Sequence, residues 1–337
     1  RQKILFATSL FTIYYLLFTI PSRAEAQTFS LGIYPPLLEA MVMPGKSMTQ
    51  VFKIENSGDE MMLNTQILPF EPKDEFGNIS IRGATSLEVA PPQDWFNFEN
   101  ADISLGRPFI LKSGESRQII LRIKIPENAR EDDYYFTFLI RGEPKRKISG
   151  PTTLETGVIG TNILLTVSRT DKPAKKGEIV EFKLLNCYMA KLLPFCLAES
   201  SQKPDFLLRV KNTSRTFWKP FGKIKIEGPL GQKWEKELLP ENVLADSVRQ
   251  IQMTTASASP TSRFALPASL FLIGPYRAKV EFNTEEDGSG EILSSSLSFI
   301  ALPVKLFLGI LIGILIFLTI LKAQKLASQG LPLRTDT

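Results

Sequence analysis

The sequence predicts an all-β protein: two sandwiches in tandem, set between an N-terminal and a C-terminal apolar segment. Three observations predict it. First, short runs alternate with a period of two, the pattern of a half-buried strand. Ile119, Leu121, Ile123 and Ile125 form one such run, Tyr134, Phe136, Phe138 and Ile140 a second, and Ile163, Leu165 and Val167 a third. Second, Pro, Gly and Asn break these runs at intervals of roughly 8–12 residues, as in a sandwich. Third, no window of comparable length between the two apolar segments carries a helical stripe.

The N-terminal segment begins Arg1-Gln2-Lys3, continues as a charge-free apolar run from Ile4 to Ile20, and reaches the small-x-small triplet Ala24-Glu25-Ala26. A basic start, an apolar middle and a small-residue cleavage site predict a secretory signal peptide over residues 1–26. An uncleaved anchor is the weaker reading, because the run is marginal for a span of about 20 residues.

Residues 27–302 are expected outside the cell as two domains, 27–170 and 171–302. The polar stretch Thr170-Asp171-Lys172-Pro173-Ala174-Lys175-Lys176-Gly177 reads as the junction. Each side is long enough for an immunoglobulin-sized sandwich. The halves echo one another. Val51-Phe52-Lys53-Ile54-Glu55-Asn56-Ser57 resembles Leu207-Leu208-Arg209-Val210-Lys211-Asn212-Thr213, each a strand running into an Asn turn.

Leu306 to Leu321 is free of charge, and counting back past Lys305, which can snorkel, lengthens the run enough to cross a bilayer. A transmembrane helix is expected over residues 303–321, with residues 322–337 as a cytoplasmic tail. Lys322 and Lys325 follow the run at once, which by the positive-inside rule places the tail in the cytoplasm. Gly309 and Gly313 make a GxxxG, read first as ordinary membrane-helix glycine.

The net charge is +5, but +2 of it lies before residue 27 and +3 from residue 304 onward, so the middle of the chain is neutral. A neutral ectodomain offers no footprint for nucleic acid. Histidine is absent, which excludes a Ser-His-Asp triad, a Cys-His pair and a His-ligated zinc site. No cofactor or metal is expected. Glu131-Asp132-Asp133 and Glu285-Glu286-Asp287 read as solvated turns rather than calcium sites, which need six to eight converging oxygens.

The only cysteines, Cys187 and Cys196, lie outside any clear strand and are expected to form a disulfide in an oxidising compartment. Trp95, Phe96 and Trp218 are the candidate ligand-binding residues, since exposed aromatics can stack on sugar rings. Core or edge cover is the commoner role of such residues. Lys145-Arg146-Lys147 is a basic turn that could touch anionic wall polymer but reads first as a solvated hairpin tip.

The order of turn signals resembles a known family. Tyr34-Pro35-Pro36 opens the first half, Met43-Pro44-Gly45-Lys46-Ser47 turns it, and Val51–Ile54 runs into Glu55-Asn56-Ser57-Gly58. Leu111-Lys112-Ser113-Gly114-Glu115-Ser116 precedes the isoleucine strand, Ile125-Pro126-Glu127-Asn128-Ala129 closes it, and Asp133-Tyr134-Tyr135 starts the next. This half resembles the N-terminal immunoglobulin-like domain of bacterial WxL-interacting surface proteins and, more loosely, the first domain of PapD-like periplasmic chaperones. Gly274-Pro275-Tyr276-Arg277-Ala278-Lys279-Val280 is similar to the closing strand of the WxL-interacting second domain. The resemblance implies a membrane-anchored surface protein whose first domain meets peptidoglycan and whose second meets a partner protein.

The function expected is therefore a non-enzymatic adhesion or scaffold protein of the bacterial envelope. It would bind cell-wall polymer or an envelope protein through sandwich edges and loops. The alternatives are a membrane-tethered assembly chaperone for secreted subunits and, least favoured, a wall-active hydrolase working with two carboxylates.

Overall fold

The computed structural model describes residues 29–82, 93–144, 156–188, 196–253 and 272–329. The expected signal peptide and the Lys145-Arg146-Lys147 turn lie outside them. Within them the chain is all-β, of the immunoglobulin-like kind, with one long helix at the C-terminal end.

The strands of the first sandwich are β1 (Leu31–Tyr34), β2 (Leu37–Val42), β3 (Ser47–Asn56), β4 (Met61–Pro72) and β5 (Ile79–Ile81), followed by β6 (Phe96–Phe98), β7 (Phe109–Leu111), β8 (Ser116–Lys124), β9 (Asp132–Pro144) and β10 (Gly157–Val167). One sheet has the order β1-β3-β8-β6, and the facing sheet the order β2-β10-β9-β4-β5 with β7 beside β4. The isoleucine run lies on β8, where Ile119, Leu121 and Ile123 are buried while their neighbours face outward. Phe52, Ile54, Phe138, Ile140, Ile163 and Leu165 close the core from the other strands.

The second sandwich holds β11 (Gly177–Leu184), β12 (Cys187–Tyr188), β13 (Cys196–Glu199), β14 (Phe206–Asn212) and β15 (Phe221–Glu227), then β16 (Lys233–Glu237), β17 (Val248–Gln250), β18 (Gly274–Asn283) and β19 (Ile292–Leu302). Its sheets run β11-β14-β17 and β12-β13-β19-β18-β15-β16. Phe206, Leu208, Val210, Trp218, Val280 and Phe299 form its core.

Both sandwiches divide their opening stretch between two sheets in the same way. In the first, β1 pairs antiparallel with β3; the chain then turns through a cis Tyr34–Pro35 bond, and β2 runs parallel to the later half of β10. In the second, β11 pairs antiparallel with β14, and β13 runs parallel to the final residues of β19. The sequence echo falls on corresponding strands, β3 and β14. Their terminal asparagines do the same work. Asn56 Nδ2 donates to the carbonyls of Asp59, Leu111 and Lys112 while Oδ1 accepts from Gly58 N–H. Asn212 Nδ2 donates to the carbonyls of Thr216 and Val243 while Oδ1 accepts from Ser214 N–H and Oγ.

The sandwiches touch. Phe70 and Leu164 of the first meet Leu244 of the second, with Tyr135 and Phe217 packed beside them. Asp133, expected at the end of a solvated acidic turn and the start of a strand, lies within β9 at this contact. It accepts from Phe217 N–H at 2.6 Å, Tyr135 O–H at 2.8 Å and Thr166 O–H at 2.7 Å. Burial pushes its carboxyl above the ordinary range, against those three donors. Glu39 accepts from Lys219 at 2.7 Å and from Asn242 at 2.6 Å, a further tie between the sandwiches.

The helix α1 spans Val304–Gln329, longer than the 303–321 expected. The stretch Leu-Lys-Ala-Gln-Lys-Leu-Ala that follows Ile320 consists of good helix formers, so the helix outlasts its apolar stretch. Val304–Lys325 is long and apolar enough to cross a membrane. Its side chains from Leu306 to Leu321 are exposed on every face. A helix apolar all round that nothing among the described residues covers suits lipid rather than water.

Candidate partner-strand edges

A sheet edge presents unpaired backbone N–H and C=O groups, and most sheets blunt theirs. The edges formed by β5, β6, β7 and β12 have three residues or fewer. β16 is Lys-Trp-Glu-Lys-Glu, charged against further pairing. β17 is covered, because Gln250 N–H donates to the Glu75 carbonyl of the first sandwich at 2.7 Å. β1, β2 and β11 also end their sheets, and two further stretches are open on strands that are otherwise paired on both sides.

The first is the leading half of β10. Residues 157–161 pair with β9 on one side, but β2 joins the other side only from Asn162 onward. Ser168 N–H donates to Val42 O, so even-numbered residues of β10 turn their backbone groups toward β2. By the same parity Val158 and Gly160 direct theirs into the unpaired space. Val158 is half exposed; β1, the edge of the opposite sheet, approaches β10 here, and the Phe29 ring lies against Gly157.

The second is the leading part of β19. Ile292–Ser298 pair with β18, whereas β13 covers only Phe299–Leu302. Thr284 N–H donates to Glu291 O across the hairpin, and Ser200 N–H to Leu302 O on the far side. Odd-numbered residues therefore bond β18, and Ile292, Ser294, Ser296 and Ser298 aim their backbone groups outward. No strand among the described residues pairs with them. β11, the edge of the other sheet, runs close beside β19, and its Gly177 N–H donates to the Glu291 carboxylate just before β19 at 3.0 Å.

This second edge is held firmly against the membrane helix. Cys187 and Cys196 are joined by a disulfide with Cα atoms 5.4 Å apart, and each lies on a strand, β12 and β13, rather than in the loop expected. Their alternation is too short to read as strand in the sequence. β13 then ends at Glu199, a buried carboxylate that accepts the Lys305 N–H of α1 at 3.1 Å. A carboxylate on the first N–H groups of a helix satisfies a donor with no partner in the helix and favours the dipole. Only Pro303 separates β19 from α1.

Of the two roles weighed for the candidate aromatics, stacking platform or core cover, the structure gives them the second. Trp95 and Phe96 lie together in the first sandwich, with ring centroids 4.8 Å from Tyr134 and 4.9 Å from Phe136. Trp218 lies in the second, stacked on Phe282, and its Nε1–H donates to the Lys176 carbonyl at 3.1 Å. All three are buried, with relative exposures of 6%, 6% and 1%. Their faces are occupied by core side chains, because aromatic area gains more from burial than from water contact. Sequence reading missed Asp133, Glu199 and the β19 edge. The Ser-rich stretch Ser294-Ser295-Ser296 lies on that edge, but which side of it is unpaired follows only from the strand pairing.

Among the described residues no cluster of three or more His, Cys, Asp or Glu side chains could hold a metal. Between the sandwiches, the crease lined by Phe70, Leu164 and Leu244 measures about 150 Å³, and a wider opening lined by Val167, Ser168, Lys176 and Thr216 about 490 Å³.

No family model matches the chain. No curated protein sequence matches it. Solved structures similar in outline include the YadV chaperone, at 9% identity, TM-score 0.36, and coverage of 79% of this chain and 99% of that one. The E. coli chaperone DraB is 13% identical, with TM-score 0.36 over 80% of this chain and 99% of its own. The Salmonella enterica SafA pilin–SafB chaperone complex gives 10% identity and TM-score 0.36, over 82% and 98%. Likeness at this level carries no argument about function.

Proposed function

We propose that this chain is a membrane-anchored, non-enzymatic envelope protein that binds an extended segment of another protein by strand addition. Of the readings open from the sequence, this is the membrane-tethered assembly chaperone. The observation that carries it is the pair of half-open stretches on β10 and β19, inner strands of their sheets whose leading residues have no partner strand on one side among the described residues. Strand addition uses such edges, with backbone bonds giving affinity and alternate side chains giving selectivity. Binding of wall polymer is the weaker reading, because the aromatics that would stack on sugars are core residues.

In this reading residues 1–26 are removed on export, 27–170 and 171–302 are two units outside the cytoplasmic membrane, and the residues after α1 lie in the cytoplasm. Absent histidine supports the non-enzymatic part. A photo-crosslinking side chain at Val158 or Ser296, in cells making the full-length protein, tests it. The expected product is a crosslink to a discrete envelope protein. Crosslinks to wall polymer alone, or none from either position, would overturn the proposal.

A further inference from the structure

The outer face of the sheet that ends in β19 is a charge ladder. Across it, Glu237, Lys223, Glu281 and Ser294 stand in one row. Glu235, Lys225, Lys279 and Ser296 form the second row, and Lys233, Glu227, Arg277 and Ser298 the third. Each row carries charge on three strands and ends in serine at the open edge. Within the ladder Lys223 and Lys225 meet Glu235, Lys233 meets Glu227, and Lys279 meets Glu281. Arg277, exposed and one strand in from the edge, has no ion pair among the described residues.

Building on the strand-addition reading, we propose that β19 receives an extended segment whose side chains alternate between apolar residues facing in and acidic residues facing out. The inward residues cover Leu293 and Leu297, which lie half-buried at the rim of the core beside Ile179 and Phe182 of β11. The outward acidic residue stands in the row of Ser298. Adjacent strands lie about 4.8 Å apart, so an added strand sits about 10 Å from β18. Arg277 and a glutamate together span that distance, and Ser298 between them is too small to intervene. Ser296 leaves the same access to Lys279. A second copy of the chain does not fit, since a β19–β19 pair sets serine against serine and leaves Arg277 uncompensated.

Proline at position 296 removes an outward N–H without touching the bonds to β18, so S296P blocks the edge at little cost to the sandwich. R277E changes only an exposed side chain. The test uses the full-length protein in nanodiscs with two nine-residue probes, alternating valine–glutamate and alternating valine–lysine. The readouts are affinity and hydrogen exchange of individual amides. The glutamate probe should protect the Ser294, Ser296 and Ser298 amides and bind about fivefold more tightly than the lysine probe. R277E should reverse that preference, and S296P should abolish protection at β19 while leaving any at Val158. Equal binding of both probes at β19 would overturn the acidic class alone. Protection at neither edge by either probe would overturn the strand-addition reading itself.

Discussion

Asn212→Ala removes the most densely bonded polar side chain of the second sandwich. Asn212 is fully buried at the end of β14. Its Nδ2 donates to the carbonyls of Thr216 and Val243, each at 2.9 Å, and its Oδ1 accepts from Ser214 N–H at 2.8 Å and Oγ at 2.6 Å. Alanine strands the buried Ser214 N–H and takes one of two donors from each carbonyl, since Thr216 O keeps Ser214 Oγ and Val243 O keeps Trp218 N–H. At about 1–3 kcal/mol for the stranded N–H and about 0.5–1 kcal/mol for each bond lost at the carbonyls, the loss should be about 3 kcal/mol. Native-state hydrogen exchange of the full-length protein in detergent reads this directly, since about 3 kcal/mol corresponds to more than 100-fold faster exchange. The change should be confined to β11, β14 and β17 and the core beneath them. Asn212→Asp is the sharper control. It keeps the shape and the accepting oxygen but cannot donate, so it should be no more stable than the alanine variant. A loss under about 1 kcal/mol in Asn212→Ala, or a near-wild-type Asn212→Asp, would refute the reasoning.

Further predictions concern other parts of the chain. Replacing Cys187 and Cys196 by serine should cost about 2–3 kcal/mol, the loop-closure value for this separation, measured by thermal unfolding with and without reductant. Asp133, whose carboxyl is pushed up by burial, binds its proton more tightly folded than unfolded. The stability it contributes is therefore fully present below the ordinary Asp value of about 4 and is lost as pH rises through the folded value. The stability of the wild type relative to Asp133→Asn should fall across that window, and a rise would show that the three donors outweigh desolvation. Gly222→Ala should disrupt β15, because a Cβ there would lie 2.2 Å from the Glu281 carbonyl oxygen and 2.4 Å from Phe282 Cα. Loss of exchange protection along β15 and β18 is the expected readout.

The sequence by itself determined the all-β class, the tandem arrangement of strands and the apolar helix, because each is written in local periodicity. Ile119, Leu121 and Ile123 could face a core only as a strand, and Leu306–Leu321 has no polar face to turn to water. The Asn56 and Asn212 echo was legible too, though its meaning was not. That meaning lies in carbonyls such as Leu111 O and Val243 O, 55 and 31 residues away.

Only the tertiary structure decided the candidate site. Whether an aromatic is a platform or a core residue depends on what packs on its faces, and Tyr134, Phe136 and Phe282 arrive from distant strands to cover Trp95, Phe96 and Trp218. Whether a strand is an edge depends on which strand fails to pair with it. β2 stops at Asn162 and β13 at Phe299, leaving the leading parts of β10 and β19 open. Arg277 likewise acquires meaning through the ladder, where it stands beside Ser298, far on in sequence and next to it across the sheet. Periodicity records which way a side chain faces, whereas non-local pairing sets what it faces and which backbone groups remain to bind a partner.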